Sequence, residues 1–190
     1  WSFTCITLFI RFILYMNIAI FASGEGTNAE SIINHFKLTD VNITLVCNKS
    51  NAGVLTKAKL ANIPTYIIDK DFNLNESYDL IILAGFLWKI PNHLIKQYPN
   101  KIINIHPSLL PKFGGKGMYG MNVHKAVIDA KEVESGITIH YINENYDEGD
   151  IIKQYKCHVY SDDTTESLSN KVRVLELENY AKVIEELINA

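Results

Sequence analysis

Short, unbroken apolar runs alternate with helix-like segments along this chain. Met16-Asn-Ile-Ala-Ile-Phe-Ala22 leads into Ser-Gly-Glu-Gly-Thr-Asn and then into Ala-Glu-Ser-Ile-Ile-Asn-His-Phe, which reads as strand, glycine-rich turn and helix. Residues 43–47, 65–68, 78–84 and 101–105 repeat the strand signal. Residues 52–62 and 91–98 repeat the helix signal, the latter with Pro91 in its first turn. Strands without a polar face must be covered on both sides. The pattern therefore predicts an α/β, Rossmann-like open sheet, mostly parallel, with helices on both faces.

The pattern changes after Phe-Gly-Gly-Lys-Gly-Met-Tyr-Gly-Met-Asn, residues 113–122. A helix is expected over residues 123–131. Residues 136–142 then alternate, with Ile137, Ile139 and Tyr141 on one face and Thr138, His140 and Ile142 on the other. Residues 150–160 read as a further strand. A last helix opens on a capping box, Asp163-Thr-Thr-Glu166, and carries Leu168, Val172, Leu175, Val183, Ile184, Leu187 and Ile188 as its apolar stripe.

The 190 residues suit one domain, expected over 16–190. The strongly apolar residues 1–15 are expected as an extension outside the fold. Arg11 in the middle of their apolar run does not fit a secretory signal, and a membrane span of roughly 20 residues would swallow the strand at Met16, which leaves a membrane anchor as the lesser reading. The net charge of −3 and the absence of a Lys/Arg block give no footprint for nucleic acid or an anionic membrane. Cys5, Cys47 and Cys157 are far apart and form no C-x-x-C, so neither a disulfide framework nor a structural zinc site is expected. A reducing, cytoplasmic setting is the simplest reading.

Two motifs carry candidate chemistry. Gly24-Glu-Gly-Thr-Asn-Ala29 fits G-x-G-x-x-G/A between a strand and a helix. A dinucleotide site also wants an acidic residue after the second strand, and Cys47-Asn-Lys-Ser50 supplies none. What remains is either a tight turn or a cradle for a terminal phosphate, built from the N–H groups of Gly26, Thr27 and Asn28. The second motif is Asn104-Ile-His-Pro107 at a strand end. Its Asn and His stand at i, i+2 and so share one face. An amide beside an imidazole suits an oxyanion, though a strand-end histidine with a turn proline reads equally well. Asp147 is the leading partner for His106.

Ala-Ser-Gly-Glu-Gly-Thr-Asn, Leu-Ala-Gly-Phe, Asn-Ile-His-Pro-Ser-Leu-Leu-Pro-Lys-Phe and His-Tyr-Ile-Asn-Glu-Asn-Tyr-Asp-Glu-Gly-Asp-Ile-Ile follow one another in this order. From Met16 to about Tyr180 the chain resembles the folate-dependent formyltransferases, and among them the phosphoribosylglycinamide branch. The resemblance implies the formyltransferase fold, with an antiparallel C-terminal portion. It implies a formyl transfer from 10-formyltetrahydrofolate to glycinamide ribonucleotide, without a metal, by a monomer or homodimer. It also implies Asn104, His106 and Asp147 as catalytic residues. Gly24, Gly26, Thr27, Asn28 and Glu176 would hold the phosphate and ribose, and Leu87, Trp88, Ile90, Thr138 and His140 would line the folate side. Gly114-Gly115, Trp88 and Asp150 depart from residues frequent in that family, and the loop through Met121 is longer. A methionyl-tRNA formyltransferase, which would want a further domain and a basic surface, stays open as an alternative. So do a formyltetrahydrofolate deformylase and a non-catalytic nucleotide-binding module.

Overall fold

The computed structural model describes residues 16–74 and 76–190. The expectation for residues 1–15 lies outside the described residues. The elements run β1 (Met16–Ala22), α1 (Thr27–His35), β2 (Val41–Cys47), α2 (Gly53–Leu60), β3 (Thr65–Ile67), β4 (Leu80–Leu83), α3 (Asn92–Gln97), β5 (Ile102–His106), α4 (Met121–Asp129), β6 (Glu134–Tyr141), β7 (Ile151–His158) and α5 (Thr165–Ile188). The strands form one sheet in the order β3-β2-β1-β4-β5-β6-β7. The pairs from β3 through β5 are parallel, and those of β5 with β6 and β6 with β7 are antiparallel.

The period of two along the strands divides the core. Ile18, Ile20 and Ala22 of β1 join Leu45, Ile82 and Ile103 beneath α1, α2 and α5. Ala19 and Phe21 point the other way, with Val46, Ile81 and Ile102, against Leu94 and Tyr98. Each fully buried Ile, Leu, Val or Phe side chain among these contributes about 1.5–3 kcal/mol of transfer free energy. That is why both faces of these strands are apolar in the sequence. β3 departs from the pattern, because it is an edge strand and its Tyr66 and Ile67 stay exposed.

The last helix begins one residue later than its expected capping box. Thr164 is the N-cap, and Thr164 and Ser167 exchange side-chain and backbone hydrogen bonds. Asp163 instead accepts from the Ser167 hydroxyl and the Lys171 ammonium. Thr138 and His140 share one face as expected, and both are fully buried; the chain leaving β5 folds back over Thr138.

The chain order reverses at β1, which has β2 on one side and β4 on the other. In an open parallel sheet, a crevice opens beyond the carboxyl ends of strands at such a switch point. Ser23, leaving β1, donates its N–H to the Gly85 carbonyl, and its hydroxyl accepts from the Leu87 N–H. These two bonds tie the exits of β1 and β4 together at the crevice.

Candidate active site

A cavity of about 680 Å³ occupies the switch point. Its walls come from the Gly24–Asn28 loop, the exit of β4, the end of β5, the 115–121 loop, the turn before β7 and one side of α5.

At one end lies the start of α1. Gly26 is its N-cap, at φ 70°, and no side chain caps it. The first-turn N–H groups of an α-helix have no partner within the helix, so Thr27 and Asn28 offer theirs to the cavity. Glycine at position 26 was expected to let an anion approach. The structure gives a further reason, since a Cβ there would run into the Val54 side chain of α2. Asn28 donates its side-chain N–H to Glu176 Oε2 (2.9 Å). Arg173 Nη2 donates to Thr27 Oγ1 (2.9 Å), which sets a guanidinium beside the loop. Burial pushes the Glu176 carboxyl up, against the opposing pull of Asn28 and Arg173. Arg173 went unnoticed in the sequence. Its one signal was its place three residues before Glu176, on the same helix face.

At the middle of the cavity, Asn104, His106 and Asp147 converge. Asn104 and His106 are the cross-strand partners of His140 and Thr138. His140 Nδ1 lies 2.8 Å from its acceptor, the Tyr141 carbonyl, so that nitrogen carries the proton. Its Nε2 is then an acceptor for the Asn104 amide at 3.2 Å. Burial pushes the His140 imidazole down, which favours this neutral form. The result is an Asn104 amide held with its nitrogen end fixed.

The same reasoning fixes His106. Its Nε2 lies 2.8 Å from the Phe113 carbonyl and donates to it. Nδ1 is therefore the nitrogen left for chemistry, and it sits 3.6 Å from Asp147 Oδ2. Asp147 accepts from the Gly115 N–H (2.8 Å), and its other oxygen is 3.8 Å from His140 Nε2. Phe113 and Asp147 both stand at positive φ, 56° and 57°.

Thr138 and His140 do not reach the cavity surface. Thr138 donates to the Ser108 carbonyl (2.7 Å) and accepts from the Leu110 N–H (3.0 Å) and Gln154 (2.8 Å), so it anchors the chain after His106. The remaining expected residues, Gly24, Leu87, Trp88 and Ile90, do line the cavity. Leu87, Trp88 and Ile90, together with Phe86, Tyr146 and Ile142, make up its apolar lining, while Gly24 belongs to the loop before α1. Among the described residues, no group of three or more His, Cys, Asp or Glu is arranged to hold a metal ion.

This arrangement offers a fixed amide N–H and a chargeable imidazole nitrogen in one place, between a basic helix end and an apolar slot. A family model described as formyl transferase matches residues 16–184. The chain belongs to the formyl transferase family. This formyl transferase chain is 37% identical over 185 residues to the chloroplastic phosphoribosylglycinamide formyltransferase of Arabidopsis thaliana, covering 88% of this chain and 63% of that protein. It is 34% identical over 187 residues to the phosphoribosylglycinamide formyltransferase of Bacillus subtilis strain 168, covering 90% and 93%. The crystal structure of the Anaplasma phagocytophilum phosphoribosylglycinamide formyltransferase superposes with a TM-score of 0.80 at 31% identity, covering 89% of this chain and 85% of that one. The chain thus spans less than two thirds of the length of its plant relative. The mostly parallel sheet with antiparallel C-terminal strands is the formyltransferase fold.

Proposed function

We propose that the protein transfers a formyl group from 10-formyltetrahydrofolate to the primary amine of glycinamide ribonucleotide, a step of purine biosynthesis. One observation carries the reading. A single cavity joins an anion-suited helix end, an Asn104–His106–Asp147 cluster and an apolar slot. The phosphate sits on the first-turn N–H groups of Thr27 and Asn28, behind Gly24 and Gly26, with Arg173 beside it. Glu176 accepts from the ribose hydroxyls. The pterin of the donor lies among Leu87, Trp88 and Ile90, while Thr138 and His140 hold the reacting groups from behind.

The amine lone pair attacks the formyl carbon, and the carbonyl electrons move onto oxygen. The oxyanion is received by the Asn104 amide and by Nδ1–H of protonated His106. Asp147 orients that imidazole and stabilises its charge. Collapse of the intermediate breaks the bond to the folate nitrogen, which takes the electron pair, and the proton that the attacking amine loses is passed to it through water beside Asp147. Holding both reactants in one crevice supplies a large part of the rate by orientation. No covalent enzyme intermediate and no metal is used.

We place the working domain at residues 16–190, acting in the cytoplasm as a monomer or homodimer, away from nucleic acid and membrane. No helix among the described residues is long and apolar enough to cross a membrane. The test is an assay with both substrates. Formylated ribonucleotide is the expected product. Release of formate without transfer would identify a deformylase, and binding without turnover a nucleotide-binding module.

A further inference from the structure

The loop from Gly24 to Ala29 fits a dinucleotide motif, yet β2 ends without the acidic residue that such a site needs. The structure puts a different carboxylate beyond that strand end. Glu25 is exposed, sits between the two glycines of the loop and lines the cavity. Its side chain lies against Gly53, the first residue of α2, where a Cβ would meet both carboxylate oxygens. Helix α2 has no side-chain cap and no acidic residue in its first turn, so a carboxylate from the loop is favoured there. The Val54 N–H donates to the Gly24 carbonyl (3.1 Å) and fixes the loop on the same turn. Glu25 enters none of the ion pairs among the described residues.

The other flank of the loop belongs to α5, whose Arg173 and Glu176 bond to Thr27 and Asn28. The ribose, read above onto Glu176, leaves the phosphate on that flank. A group linked through a further phosphate oxygen leaves on the opposite flank, that of α2, beyond the end of β2. Dinucleotide folds place the second half of their ligand in that direction. Here it would meet Glu25. We infer that Glu25 is a specificity-determining residue, which limits the site to terminal phosphate monoesters and excludes diphosphates and dinucleotides.

The exclusion is electrostatic. A diphosphate adds charge on the side of an unpaired carboxylate, and two like charges in contact near a protein surface cost roughly tenfold or more in affinity. A single phosphate has the N–H groups of Thr27 and Asn28 and the Arg173 guanidinium to offset the same carboxylate. Specificity of this kind comes from an unfavourable contact with the wrong ligand rather than a better one with the right ligand. It also accounts for a glycine motif that keeps the anion cradle of a dinucleotide site without its ribose-binding acid.

The inference rests on the phosphate reading of the loop, which is part of the proposed formyl transfer, and the experiment separates the two. NMR titrations with inorganic phosphate and with pyrophosphate follow the Thr27 and Asn28 amide signals in the wild type, Glu25→Gln and Glu25→Lys. In the wild type, phosphate should move these signals, and pyrophosphate should bind roughly tenfold more weakly despite its larger charge. Glu25→Gln keeps the length of the side chain and removes its charge. The ratio of pyrophosphate to phosphate affinity should then rise by roughly tenfold, and Glu25→Lys should raise it further. Added salt should narrow the wild-type discrimination and leave the ratio in Glu25→Gln little changed. A residue that merely shaped the loop would change both affinities alike. Pyrophosphate bound by the wild type as tightly as phosphate, or a ratio unmoved in both variants, overturns the inference alone, and a formylated product in the two-substrate assay then leaves the formyl-transfer reading standing. Thr27 and Asn28 signals unmoved by either ion remove the phosphate cradle, and the inference with it.

Discussion

Phe113 and Asp147 occupy backbone conformations that side-chain-bearing residues enter at a cost of order 1–3 kcal/mol each. Both positions act on His106. Phe113 turns its carbonyl onto Nε2, and Asp147 brings its carboxylate towards Nδ1. The strain is therefore spent on one imidazole, which ties its tautomer to its surroundings. Groups that set up one another act as a unit, and their losses do not multiply. His106→Ala and Asp147→Asn are each expected to lower kcat by ~10²–10³ with little change in ligand affinity. The double variant should fall well short of the product of the two losses, as read from kcat and binding across the four proteins of the cycle. Arg173 makes a separable case, at the other end of the cavity. Removing one charge-assisted contact of about 1.5–3 kcal/mol should weaken the ribonucleotide by roughly 10–100-fold in Arg173→Met. Calorimetric titration with each substrate should find the folate donor unaffected.

The elements that carry these residues are held at their ends by side-chain bonds to backbone. Tyr180 of α5 is almost fully buried, and its hydroxyl donates to the Leu83 carbonyl at 3.0 Å. The Ile103 carbonyl lies 3.5 Å from the same oxygen. The long helix is thereby pinned to the last residue of β4 and to the middle of β5, just under the crevice. Burial accordingly drives the phenol well above its ordinary range. Tyr180→Phe keeps the ring and its packing but strips a buried carbonyl of its donor. Loss of about 1–3 kcal/mol of stability is expected in urea unfolding, with the m-value unchanged. The β6–β7 pair shows how an element's irregularity serves the site. Its register shifts between Ile139 and His140, the residue that fixes the Asn104 amide. A bulge at such a place re-aims a side chain.

For the molecule as a whole, two buried histidines link folding to pH. Burial is the leading cause that pushes both His124 and His140 below 6.5, their ordinary value and the one they regain on unfolding. Between the folded value and 6.5 the unfolded chain binds more protons than the folded one. Stability therefore rises with pH across that window and is lost as pH falls through it. Urea midpoints should be level above about pH 7 and decline from about pH 6.5 downward, before the carboxylates titrate near 4. His140→Gln should flatten part of that decline, and a slope unchanged by this substitution would remove His140 from the account.

The strands, the helices and the parallel class were legible in the sequence because each is encoded locally. Apolar runs of strand length, glycine after β1 and the i, i+2 spacing of Asn104 and His106 need no knowledge of distant residues. The resemblance added Glu176, and it gave a catalytic role to Asp147, which the residues alone already offered as the partner of His106. What no local signal carried is contact between residues remote in the chain. The Arg173–Thr27 bond spans 146 positions, and His124 reaches the cavity only because α4 packs on α5. Thr138 and His140 show the same limit. Their alternation put them on one face without saying what covers it, and over Thr138 the fold laid the chain that leaves β5. Periodicity says which side chains share a face. Only the packed sheet decides what covers that face, which nitrogen of His106 is occupied and which buried groups are left without a partner.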